Sequence, residues 1–100
     1  MREDRQRLDK WLWFARFAKT RTLAAKLVTE GFVRVNGHRV ESAAKAVAVG
    51  DVLTIAVART TAVVRVEGLG ERRGPAPEAR LLYTEVARDD GSLVLEPDRS

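Results

Sequence analysis

The chain has 100 residues, the usual size of one domain with one core. An apolar fraction of 45% and a charged fraction of 32% exclude a disordered chain, and no stretch reaches the ~18 apolar residues of a membrane span. Zero cysteines exclude a disulfide framework and thiolate metal sites, while a net charge of +4 and a pI near 10.1 favour a polyanionic partner.

In chain order, Leu8, Trp11, Leu12 and Ala15 recur at i, i+3, i+4 and i+7 and predict a helix over roughly 7–18. Lys10, Trp13, Arg16 and Phe17 fall on its other faces, which leaves basic groups and one Trp outside. Thr20 or Thr22 is placed to cap a second helix over 22–30, whose apolar stripe is Leu23, Ala24, Leu27 and Val28 and whose stop is Gly31. From Phe32 the period becomes two, and Asn36-Gly37 predicts a hairpin turn with His38-Arg39-Val40 returning. Residues 42–49 are Ala-rich and predict no regular element. Gly50-Asp51 reads as a turn before a strand over 52–57, and Arg59-Thr60 as a turn before a strand over 61–67. A Gly/Pro/Arg-rich loop follows over 68–77. A short helix over 77–83, an interruption at Asp89-Asp90-Gly91, a last strand over 93–95 and a fraying end at 96–100 complete the reading. The fold class is therefore α+β: two N-terminal helices packed on a small, mostly antiparallel sheet, with a short C-terminal appendage. The division expected is a domain over 5–67, then a loop, short helix and tail over 68–100.

Charge is unevenly spread along this plan. Residues 1–50 carry 11 basic and 5 acidic groups, for +6, whereas residues 51–100 carry 7 basic and 9 acidic groups, for −2. A polyanion bound mainly by the first half follows from that split. Lys10, Arg16 and Lys19 belong to the first helix or its end, Arg21 and Lys26 to the second, and Arg34, His38 and Arg39 to the hairpin. Each alone is an ordinary solvated charge. Packed helices on hairpin would gather them onto one phosphate-binding surface, with Arg21 where free helix N–H groups already favour an anion.

Enzymatic activity is not expected. His38 is the sole histidine and sits beside a turn, with no nucleophile paired to it. Asp89-Asp90 reads as turn chemistry, and Gly68-Leu69-Gly70 lacks the third glycine and the helix of a phosphate-binding loop. One His with scattered carboxylates makes no metal site, so neither metal nor cofactor is expected. Phe17 reads as a core residue. Trp13 stands open between packing and stacking on an exposed base.

Several of these pieces share an order and spacing: Arg7-Leu8-Asp9-Lys10-Trp11-Leu12, Lys19-Thr20-Arg21 with Ala24-Ala25, Gly31 through Gly37, and Gly50-Asp51 before an apolar strand. Together, over about residues 5–57, they resemble the alpha-L RNA-binding motif, the domain of the fourth protein of the small ribosomal subunit. The second half, with Arg72-Arg73-Gly74-Pro75-Ala76 and Glu78-Ala79 before Leu82-Tyr83, is similar to the family of small ribosome-associated heat-shock proteins. That family ends in a longer Lys/Arg-rich tail, whereas this sequence closes on Glu96-Pro97-Asp98-Arg99-Ser100.

The resemblance implies binding to the large ribosomal subunit, especially a free subunit still holding a nascent chain on tRNA, in rescue or recycling. By position it puts the RNA surface on Arg7, Lys10, Thr20, Arg21, Lys26, Arg34, Asn36 and Arg39, to which helical spacing adds Arg16 and Lys19. Asp9 reads as structural, an acid suited to the first turn of its helix. The expected protein is a cytoplasmic monomer that binds structured RNA (rRNA, and tRNA as a second candidate) and no membrane. A DNA-binding regulator and a protein-interaction module remain as rival classes.

Overall fold

The computed structural model describes residues 4–57 and 60–89. Two residues, Gln6–Arg7, form strand β1, which runs straight into helix α1 at Leu8–Phe14. Leu8, Trp11 and Leu12 are wholly buried, as their spacing requires. The helix ends at Phe14, short of the predicted 18. Its stop is a pair of reciprocal bonds: the Arg16 N–H donates to the Trp13 carbonyl (3.1 Å) and the Phe17 N–H to the Leu12 carbonyl (2.9 Å). Arg16 holds φ 68 between them, the left-handed position usually given to glycine. Phe17 is turned back against the Trp11 and Tyr83 rings and serves the core as expected.

Helix α2 spans Arg21–Thr29, and of its two candidate caps Thr20 is used, its hydroxyl accepting from the Leu23 N–H at 3.0 Å. It stops by the same bond pair as α1, Gly31 to Val28 and Phe32 to Leu27, with Gly31 at φ 87. Gly31 answers a second need, because a Cβ there would lie 2.7 Å from the Arg39 guanidinium.

Strands β2 (Val33–Val35) and β3 (His38–Arg39) form the expected hairpin, with Asn36 at φ 52 and Gly37 at φ 83 in a two-residue turn. The pleat buries Val33 and Val35 and turns Arg34 outward. The sheet continues through β5 (Val52–Val57), β6 (Thr60–Val66) and β7 (Tyr83–Asp89), all antiparallel in the order β3-β2-β5-β6-β7. Val33, Leu53, Ile55, Val64 and Val66 join the α1 stripe and Ala24, Leu27 and Val28 of α2 in one core, while Leu23, expected in that stripe, lies in the first turn of α2 and is exposed.

Two strands also depart from the sequence reading. Strand β4 (Ala46–Val47) pairs with β1, where a helix start and an irregular connection were expected. A ladder of two residues is too short to leave a period in the sequence. Strand β7 was also not anticipated. Its pairing with β6 shifts between Val63 and Val64, and such a bulge breaks the alternation that marks a strand. The short helix appears as α3 (Ala76–Ala79), followed by one 3-10 turn over Arg80–Leu82. The strand expected at 93–95, the fraying end at 96–100, the interruption beyond Asp89 and the turn residue Arg59 lie outside the described residues.

The loop over 68–75 is strapped to the helical end. Gln6 bonds Gly70 through both its amide atoms (2.8 and 3.1 Å), and the Trp11 indole N–H donates to the Gly68 carbonyl at 2.9 Å. Arg16 donates to the Gly74 carbonyl, while Arg73 reaches back to the carbonyls of Trp13 and Ala18 beyond the α1 stop. Gly70 sits so close that a Cβ would come 2.6 Å from the Phe14 ring.

Candidate nucleic-acid interface

Two clusters of positively charged side chains stand out among the described residues. The first gathers where α1 and α2 begin. Asp9, in the first turn of α1, is only 3% exposed. Arg7 chelates it, Nε to Oδ1 at 3.1 Å and Nη2 to Oδ2 at 3.0 Å, and Arg21 Nη2 stands 3.9 Å from Oδ1. Burial pushes the Asp9 carboxyl up, but the Arg7 hydrogen bond and charge, joined by Arg21 and the Lys10 N–H, outweigh it and hold the group below the usual carboxylate range. The two guanidiniums stay about half in solvent, at 51% and 43% exposure. Asp9 is structural, as expected, and it also aims two arginines outward from one point.

The second cluster is on the hairpin. Arg34 and Arg39 are directly opposed across β2 and β3. Like charges in such a pair repel and weaken a sheet. Among the described residues the acid that pairs with them is Glu41, with Oε2 3.8 Å from Arg39 Nε. The 41–45 connection links the clusters. Leu8 and Asp9 donate backbone N–H groups to the carbonyls of Lys45 (2.8 Å) and Ala43 (3.1 Å). Lys45 also lines a cleft with His38, Arg39 and Ser42. Lys45 was not picked out as a site residue. Only the pairing of β4 with β1, which left no sequence signal, carries it there.

The remaining candidates are placed differently. Thr20 caps α2 with its hydroxyl. Asn36 clamps the hairpin to the 50–52 turn, accepting from the Val52 N–H at 2.9 Å and donating to Asp51 at 3.3 Å. Lys10 lies 5.8 Å above the Phe14 ring, and Lys26 pairs with Glu30 one turn on at 4.0 Å. Arg16 belongs to the opposite end of α1, next to the strap, and Lys19 to the connection just before the Thr20 cap of α2. Trp13 is half-buried against the core and stacked on Phe14 at 5.4 Å, so packing claims much of its surface. No group of metal-ligating side chains is found among the described residues, and no helix among them is long and apolar enough to cross a membrane.

Two helices with left-handed stops, packed against an Asn-Gly hairpin and its strands, define the class. Residues 6–53 match the S4 domain model, so the chain carries an S4 domain, the alpha-L RNA-binding motif. The particular relatives are heat shock protein 15 of Escherichia coli K12, 46% identical over 81 residues, and its homolog in Haemophilus influenzae Rd, 41% identical over 112 aligned positions. The Haemophilus match takes in 99% of this chain and 85% of the relative, and the chain belongs to the heat shock protein 15 family. Against the E. coli protein it spans 81% of its own length and 60% of the relative's. The solved Vibrio cholerae heat shock protein 15 superposes with a TM-score of 0.78 at 42% identity, over 83% of each chain. That structure is described as trimeric, at odds with the monomer expected from this sequence.

Proposed function

We propose that this chain binds structured RNA without catalysis, gripping phosphates and helical shape, and that rRNA of the large ribosomal subunit is its target during rescue or recycling under heat shock. The observation that carries this reading is the Arg34–Arg39 pair. A hairpin that opposes two like charges on its exposed face gains stability when a polyanion covers them. Arg7 and Arg21 supply the second grip, with Lys10, Lys19 and Lys26 beside them. Thr20 and Asn36 serve by fixing α2 and the hairpin. A ribosomal target places the protein in the cytoplasm, with tRNA held on the subunit as a second contact.

Sedimentation of tagged protein from lysate through a sucrose gradient tests this reading. Co-migration with free large subunits at low salt, lost as salt rises, is the expected result. Protein left at the top of the gradient at low salt contradicts the ribosomal target. Competition decides the DNA alternative, since duplex DNA displacing the protein as well as structured RNA does contradicts the RNA reading. Salt-resistant retention on a protein partner would favour the interaction module instead.

A further inference from the structure

A separate opening lies at the other end of α1. It is a cleft of about 300 Å³ lined by Ala15, Arg16, Phe17, Ala76, Ala79, Arg80 and Tyr83. That is the lower end of the size range that holds small ligands. Its floor is aromatic: Phe17 and Tyr83 lie with centroids 4.9 Å apart, tilted by 50°, and both rest on Trp11. Its wall on α3 is alanine, which leaves room. Among the described residues the two charged groups that line it are both arginines, and no acid does.

The α1 stop strengthens the case. The α2 stop uses glycine at the left-handed position, whereas the α1 stop uses Arg16 at φ 68. A side chain there is strained where glycine would not be. Its Nη1 donates to the Gly74 carbonyl at 3.2 Å, which ties the side chain to the loop just before α3.

We propose that this cleft takes one unstacked nucleotide of the bound RNA, its base against Phe17 and Tyr83 and its phosphates on Arg16 and Arg80. The inference rests on the RNA-binding reading and deepens it. An aromatic floor recognises a base face, and a guanidinium rim recognises phosphate.

The test uses two RNA hairpins of equal length, one fully paired and one with a single bulged 2-aminopurine. The wild-type chain is expected to prefer the bulged hairpin by about tenfold, the scale of one stacked base, and to change the 2-aminopurine fluorescence. Arg16→Gly keeps the left-handed stop, so the fold stays intact while the guanidinium is lost. Arg80→Ala alters an exposed residue. Each is expected to cut the preference by about threefold, as for one exposed ion pair, lowering the bulged hairpin's affinity more than the paired hairpin's. Equal binding of both hairpins with silent fluorescence overturns the cleft but leaves the RNA reading standing. A preference that survives both substitutions also overturns the cleft. Binding of neither hairpin overturns the RNA reading and the cleft together.

Discussion

Arginine is presented twice on this surface, by opposite physical means. At the helix starts, Arg7 and Arg21 share the buried carboxylate of Asp9, so their positive charge is partly answered from within. On the hairpin, Arg34 and Arg39 face one another with Glu41 at the margin. The first arrangement buys orientation, the second unspent attraction for an anion. Stability and affinity should therefore separate: the helix-start cluster contributes to both, and the hairpin pair to affinity at the expense of stability.

The largest effect is expected at Asp9. Asp9→Ala removes a doubly hydrogen-bonded carboxylate and a favourable first-turn acid, and should lower unfolding stability by about 1–3 kcal/mol with an unchanged denaturant slope. RNA affinity should fall as well, since Arg7 and Arg21 lose their common anchor. If stability is unaffected, the contrast between the two clusters collapses. Acid titration sharpens the same point. The folded Asp9 lies below its unfolded value of about 3.9, so its contribution is full above that pH and fades as pH falls through the lower folded value. The gap in stability between wild type and Asp9→Ala should accordingly narrow below about pH 4, as read by urea midpoints across pH.

Smaller effects, and of opposite sign, are expected on the hairpin. Arg34→Thr relieves the cross-strand repulsion and should raise stability by about 0.2–1 kcal/mol while RNA binding weakens. A thermal melt paired with a binding titration reads both at once, and a loss in the melt contradicts the repulsion argument. Arg21→Ala should move stability least, by under about 0.5 kcal/mol, because its contact to Asp9 is long and half in solvent. Its RNA affinity should still drop. A large stability loss with affinity intact would make Arg21 a structural residue.

How much of this could be read in advance depended on the range of the signal. The buried face of α1, the Gly31 stop and the Asn36-Gly37 turn are local patterns, and the structure has them where the pattern put them, whereas on α2 Ala24, Leu27 and Val28 face the core and Leu23, expected beside them, is exposed. The early end of α1 was not legible, because Arg16 carries no mark of the glycine that usually holds its conformation. Strand β7 was hidden by its bulge, and the β1–β4 pair by its length. In the candidate site, the residue types were evident from charge, but their grouping was not. Asp9 could be read as a helix-start acid, yet its chelation by Arg7 depends on side-chain direction. Lys45 joins the surface only through strand pairing.

Phosphate contact by these four arginines is what the proposed RNA binding requires above all. The most direct measurement is the salt dependence of RNA affinity for wild type against the Arg34→Ala/Arg39→Ala pair. The wild-type plot of log affinity against log salt should fall steeply, and the double variant should lose about one unit of slope per phosphate contact removed. A flat wild-type plot, or a slope unchanged in the variant, would contradict the claim that the hairpin arginines hold the RNA backbone.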